Sequence, residues 1–272
     1  MTPMARFEYV SHLVTVPVQA GGRQARFVLD TGIGVTLLSR SLATAAGCAA
    51  DGSVYTGKRM SGQQVSIPLG TLSSLSVAGC PTEDHQVGIL DMGQMAGLDG
   101  IDGFLSLNAF LTTPFTVDYP AGLLVIEDAV SLASRAAAGV AVDVQVERQG
   151  CATDINVALD VPGCGPVMAE VDMGSDALIL NEPLAAKMGI DLGGENVRTV
   201  SGQDETGGRY DRYFTTLPGT VSLAAAPAIR QANPEVMFQK IIYDGLVGNA
   251  FLRNFVVSYD LPAARMIFAL PR

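Results

Sequence analysis

Histidine is almost missing from this chain of 272 residues, which has only His12 and His85, far apart and without metal-ligand spacing. Zinc hydrolases and nucleophile schemes built on a Ser–His or Cys–His pair therefore have little to work with. Cysteine is scarce as well. Cys48, Cys80, Cys151 and Cys164 are too few for a disulfide scaffold and form no Cys-x-x-Cys pair. Cys151 and Cys164 flank a strand-like segment and would have the chance to bridge in an exported protein; buried free thiols are the favoured reading. Positive charge is the third shortage: 17 basic side chains face 27 acidic ones, for a formal net charge of −10. That balance argues against nucleic-acid binding and against docking on anionic membranes. No uninterrupted run of ~18 apolar residues occurs, so no transmembrane helix is expected. Met1 to Pro17 carries Arg6, Glu8 and His12 and lacks the apolar core of a secretory signal. As written, the protein is expected in the cytoplasm, or outside it if a leader has been removed.

What the chain does have is apolar residues, 48% of the total, broken into short runs by 30 glycines and 14 prolines. A large core with many turns follows, and the texture predicts β-rich structure. Strands are expected at Leu13–Val18, Arg26–Leu29, Val65–Leu69, Leu72–Val77, Gln86–Leu90, Phe115–Val117 and Leu123–Ile126. A second series is expected at Ile155–Leu159, Val167–Val171, Tyr213–Leu217, Val221–Ala224, Phe255–Ser258 and Met266–Ala269. Only Ser41–Ala46 and Pro183–Met188 read as helices. The Ala-rich stretch Ala129 to Gly139 reads as a short helix or a linker.

The two series reflect a repeat. Asp30-Thr31-Gly32 follows Phe27-Val28-Leu29, and Asp172-Met173-Gly174 follows the mostly apolar Val167 to Val171, an offset of 142. At that offset Leu38, Leu42, Ala43 and Gly47 meet Leu180, Leu184, Ala185 and Gly189. Ser39 faces Asn181, each expected to cap the short helix that follows. Far downstream, Asp102-Gly103 and Asp118, Pro120 and Ala121 recur at the same offset of 142 as Asp244-Gly245 and Asp260, Pro262 and Ala263. Between them, Ser61-Gly62-Gln63 faces Ser201-Gly202-Gln203 at offset 140. The chain is read as a duplication, with lobes 1–134 and 135–272 each at −5.

An Asp delivered by a buried strand, then a small hydroxyl residue and Gly, has a specific physical use. The strand fixes the carboxylate, the Gly lets a second backbone approach, and the hydroxyl can bond across to a partner loop. Two such loops back to back would set Asp30 and Asp172 so close that both cannot ionise near neutral pH. One keeps a shared proton while the other acts as base on a water. Such chemistry needs carboxylates and water alone, with no metal and no organic cofactor. Asp102 and Asp244 read as turn or capping groups. Gly32-x-Gly34 lacks the third Gly of a dinucleotide fingerprint.

These residues resemble the bacterial retropepsin-like aspartyl proteases. The pattern runs from Arg26 to Gly32, through a Gly-rich hairpin around Gly57 to Val65, then Leu72 to Gly79. It closes on Ile101-Asp102-Gly103-Phe104-Leu105, Asn108 to Leu111 and Val117 to Pro120. Two fused lobes resemble the pepsin-like arrangement. The resemblance implies an all-β, bilobal acid-protease fold that hydrolyses peptide bonds with a water between Asp30 and Asp172. The partner is then a peptide or protein substrate, and one chain completes the site. It implies that Thr31 makes the cross-loop hydrogen bond, with Gly32, Met173, Gly174 and Ser175 completing the loops. The hairpins around Ser61-Gly62-Gln63 and Ser201-Gly202-Gln203 become flaps, and Ile101–Leu105 and Tyr243–Val247 become the strands behind the Asp loops. The sequence departs from the pattern where Met173 replaces Thr or Ser, losing half of the cross-loop lock. Ile33 and Ser106 also depart, whereas Ser175 and Gly248 are regular. The competing reading is a protein of weak or no activity that keeps the cleft to bind a peptide or small ligand.

Overall fold

The computed structural model describes residues 2–93, 97–203 and 208–271. Within them, strands form two ten-stranded sheets and a six-stranded one, with only short helices between. This is the bilobal all-β acid-protease fold. The first large sheet runs in the spatial order Ala50–Lys58, Gln64–Thr71, Gln86–Leu90, Leu37–Ser39, Gly103–Leu105, Arg23–Leu29, Leu13–Ala20, Leu75–Val77, Cys80–Pro81. The second repeats that order: Arg198–Gln203, Arg209–Thr216, Glu235–Gln239, Leu178–Asn181, Gly245–Val247, Gly165–Val171, Ala152–Val161, Thr220–Leu223, Ala226–Ala232. The repeat seen at offset 142 is therefore a repeat of topology.

The six-stranded sheet joins the halves. Phe115–Asp118 pairs antiparallel with Val256–Asp260, and Thr116 lies opposite Ser258. Those two residues are themselves equivalent in the repeat, so the approximate twofold axis passes between them. Their hydroxyls are 2.7 Å apart in a buried hydrogen bond. Beside them the rings of Phe115 and Tyr259 stack at 4.6 Å. One apolar core runs through both halves, with Phe27, Phe115, Phe238 and Phe251 among its sealed side chains.

Most expected strands lie where the apolar runs placed them, with ends within four residues of those expected. The strand expected from Leu72 begins at Leu75, because the preceding strand runs on to Thr71. The two short helices are Arg40–Ala45 and Pro183–Lys187, followed by Gly47 and Gly189 at φ +68° and +71°. Ser39 caps the first, its Oγ accepting from the Leu42 N–H at 3.2 Å. Asn181 does not cap the second. It ends a strand, and its Oδ1 accepts from the Ile241 N–H instead, while Pro183 opens the helix without a side-chain cap. The Ala-rich stretch is a helix, Ala129–Ala138, held by a capping box between Asp128 and Ser131, and it spans positions 134 and 135.

All four cysteines are free, but only Cys48 is buried, which corrects the expectation for the rest. Cys151 and Cys164 sit at opposite ends of the extended strand Ala152–Val161. At ~3.3 Å per residue they are separated by about 30 Å, far beyond disulfide reach.

Candidate active site

Each Asp is set by a buried strand with parallel support. Arg23–Leu29 pairs with Gly103–Leu105, Leu29 opposite Leu105, and the Asp30 N–H extends the ladder to the Leu105 carbonyl at 3.0 Å. In the second lobe Gly165–Val171 pairs with Gly245–Val247, and the Asp172 N–H reaches the Val247 carbonyl, also at 3.0 Å. These supports lie within the segments Ile101–Leu105 and Tyr243–Val247. Past the ladder the chain turns on its own carboxylate. Asp30 Oδ1 accepts from the Gly32 N–H at 3.0 Å, and Asp172 Oδ1 from the Gly174 N–H at 2.7 Å.

The loops meet at van der Waals limits. A Cβ on Gly174 would lie 2.5 Å from Asp30 Oδ2, and one on Gly32 would lie 2.7 Å from Asp172 Cγ. Glycine is required at both places by close approach. The two carboxyl groups thereby come into hydrogen-bond contact with each other. Asp30 is buried and Asp172 partly so. Burial, then the charge of Asp172, pushes Asp30 well above the usual carboxylate range. Burial also raises Asp172, opposed by the Gly174 N–H, the bond from Asp30 and His12. The pair therefore holds one shared proton toward neutral pH.

Thr31 provides the cross-loop lock alone. Its buried Oγ1 donates to the Val171 carbonyl at 2.6 Å and accepts from the Met173 N–H at 3.0 Å. Met173 contributes its backbone, and its side chain is fully buried in the core. The missing hydroxyl has thus been replaced by packing. Two asparagines that sequence reasoning did not single out add further clamps. Asn249 Nδ2 donates to the Met173 carbonyl at 2.7 Å and to the His12 carbonyl at 3.1 Å, while Tyr119 donates to its Oδ1 at 2.9 Å. Asn108 Nδ2 donates to the Gly34 carbonyl at 3.1 Å and to the Cys151 carbonyl at 2.7 Å, and Thr153 donates to its Oδ1. Each amide ties an Asp loop to the other lobe. Their signal in the sequence is a lone Asn in an otherwise apolar turn, Leu107–Phe110 or Asn249–Leu252.

The other departures also have local reasons. Ser106 is held by Thr36, which bonds Asp84 and Ser106 at 2.5 and 3.1 Å. Gly248 has no such room, since a Cβ there would meet the carbonyls of Ala177 and Ser175 at 2.6 Å. Ile33 joins the apolar cluster of Val28, Leu37 and Phe104. The carbonyl of Ser175 accepts from the Asn249 N–H at 2.8 Å.

Ser61, Gly62 and Gln63 form the tip of the hairpin between Ala50–Lys58 and Gln64–Thr71, closed by the Arg59 N–H on the Gln63 carbonyl. This tip reaches the other lobe: the Ile242 N–H donates to the Met60 carbonyl at 2.9 Å, and Met60 packs on the Ile179, Met237 and Leu246 cluster. Ser201, Gly202 and Gln203 lie within a strand, Arg198–Gln203, paired with Arg209–Thr216; the tip of that hairpin lies outside the described residues. The two Ser-Gly-Gln triplets are therefore not equivalent in position. The two hairpins face each other across a cavity of about 420 Å³ lined by Arg59, Arg209, Tyr210 and Gln239. Among the described residues, no group of three or more His, Cys, Asp or Glu side chains is arranged to hold a metal ion.

Residues 16–109 match the family described as aspartyl protease. The fold over both lobes is pepsin-like. Among solved structures it is similar to basic 7S globulin from soybean, with a TM-score of 0.59 and 11% identity, covering 99% of this chain and 95% of that one. That likeness is one of fold. No curated protein matches the sequence significantly. A protease-like function is supported at this level.

Proposed function

We propose that the chain is an aspartic endopeptidase in which Asp30 and Asp172 activate a water between them. Asp172 takes a proton from the water as its oxygen attacks the peptide carbonyl, while Asp30 gives its proton to the carbonyl oxygen. In the collapse of that adduct the leaving nitrogen takes the proton from Asp172, the C–N bond breaks, and Asp30 recovers its proton. Protons balance over the cycle, and only carboxylates and water take part. The observation that carries this reading is the contact between the buried Asp30 and the partly buried Asp172, whose loops admit nothing larger than Gly32 and Gly174. In this reading Thr31 positions the loops, and the hairpins at Ser61–Gln63 and Ser201–Gln203 close over an extended peptide. Lobes 1–134 and 135–272 each supply one Asp, so a monomer suffices.

The test is peptide-library cleavage across roughly pH 3 to 7. Asp30→Asn and Asp172→Asn are each expected to lower the rate by about 10³-fold or more, since each removes one proton-transfer partner. Because both carboxyls are raised, the alkaline limb of kcat/KM lies above the usual carboxylate range. Cleavage that survives either Asn variant would refute the mechanism. Peptide binding without cleavage by the unmodified protein would select a binding module instead.

A further inference from the structure

The two halves of the cleft floor carry different chemistry at equivalent places. In the first lobe Val28 lies two residues before Asp30 and so shares its strand face. It sits in an apolar cluster with Val35, Leu37 and Phe104, with Leu13 packed alongside. In the second lobe the residue two before Asp172 is Glu170. Strand register fixes a second correspondence. Val16 pairs with Phe27 and Val157 with Ala169, so Asp154 occupies the place of Leu13. Asn156 lies opposite Glu170, which puts Asp154 and Glu170 on one face.

Glu170 is only 4% exposed, yet neither it nor Asp154 joins any ion pair found among the described residues. Among the described residues, the favourable polar neighbour of Glu170 is the Tyr243 hydroxyl. Strand alternation sets the Glu170 carboxyl on the side of the dyad. Burial, then Asp172 and Asp154, pushes Glu170 up to about 9. Burial, then Glu147 and Asp172, pushes Asp154 up to about 6. A buried carboxyl without a cation is costly to ionise, so a cation delivered there meets an acceptor that the fold itself leaves uncompensated.

We propose that Glu170 and Asp154 form a specificity pocket for a lysine or arginine side chain of the bound peptide, on the second-lobe side of the scissile bond. The Val28 cluster takes an apolar side chain on the other side. This rests on the reading of the cleft as a peptide site, and the experiment separates the two. Binding is measured by calorimetry with reduced-amide peptides, which carry CH₂–NH at the scissile position and cannot be cleaved. Matched ligands place Lys or its uncharged isostere norleucine at each position flanking that bond. Cleavage of the corresponding amide peptides is measured alongside.

At one flanking position Lys is expected to bind at least about tenfold tighter than norleucine, the scale of a charge-assisted hydrogen bond. Glu170→Val, which copies the first lobe, is expected to reverse that order, and Glu170→Gln to abolish it while the fold persists. Equal binding of Lys and norleucine, a preference untouched in both variants, or no binding by either ligand overturns the pocket. Lys-selective binding without cleavage leaves the pocket standing and removes the peptidase reading. Cleavage without Lys selectivity does the reverse.

Discussion

The two Asp loops have the same backbone and different side chains. Both Asp N–H groups continue a parallel ladder with a 3.0 Å bond. Both carboxylates accept from the N–H two residues on, and both loops place a Gly against the opposite Asp. Yet the first loop has Thr31 over a Val28 floor, and the second has Met173 over Glu170. The difference separates what main-chain pairing can secure from what a side chain must supply. The ladder and the Asx turn need only backbone, so they persist in both copies. The hydroxyl is needed once, because Thr31 both donates to Val171 and accepts from Met173. The side chain two residues before each Asp takes no part in the ladder, the Asx turn or the lock, which leaves it free to differ.

The most damaging way to break the equivalence is to crowd one loop. Gly174→Ala pushes a methyl to 2.5 Å from Asp30 Oδ2, and Gly32→Ala pushes one to 2.7 Å from Asp172 Cγ. A displacement near 1 Å at the reacting groups costs about 10²-fold in rate, so each variant is expected to lose at least that in kcat with much less change in folding. Equal losses mean that the two loops are functionally interchangeable. Retention of full activity by either variant would mean that the carboxyl contact is not the working geometry.

The lock is sharpened by trading its side chains. Thr31→Val leaves the Val171 carbonyl without a donor and the Met173 N–H without an acceptor, both in the core. At ~1–3 kcal/mol per orphaned group, the loss is about 2–6 kcal/mol in urea denaturation. Met173→Thr restores the residue type of the first copy, but it empties a fully buried site. The lost packing, about 1–3 kcal/mol, exceeds the ~1 kcal/mol of one new hydrogen bond, so this variant is expected to be slightly less stable. A more stable Met173→Thr protein would show that packing has not replaced the hydroxyl.

The topology and the meeting of the two Asp loops were legible because a buried strand ending in Asp leaves a dense local signature, and a fixed offset of 142 repeats it. What was not legible depends on three dimensions. Ala50–Lys58 is mostly exposed and has no apolar alternation, so only its pairing with Gln64–Thr71 makes it a strand. Asn181 has the right type and position for a cap, but the loop at Ile241 claims its side chain. Asn108 and Asn249 draw their meaning from carbonyls on the other lobe, as far away as His12 is from Asn249 in sequence. Glu170 stood in plain sight as the one polar residue of an apolar strand. Its burial and its lack of a cation became visible only once the neighbouring strand was in register.

The mildest test of the comparison uses pH. Burial and three neighbouring carboxyls, Asp172, Asp154 and Asp30, raise Glu170 from 4.5 to about 9 in the folded protein, while Val28 at the matching place cannot titrate. Between these values the native state holds a proton that the unfolded chain has released. The contribution of Glu170 to stability is therefore fully present below about pH 4.5 and is lost as pH rises through about 9. Glu170→Gln keeps the shape and removes the titration. Relative to this variant, the unmodified protein is expected to lose up to ~1.4 kcal/mol per pH unit across that window. Asp154, raised to about 6, adds a similar slope over the lower part of the window alone, and it is present in both proteins. Urea unfolding at pH 5 and pH 8 reads the difference, with the gap in favour of Glu170→Gln widest at the higher value. Parallel stability curves for the two proteins would mean that Glu170 is ionised in the fold, with a compensating cation or open solvent beside it, and the two floors would then differ less than their burial implies.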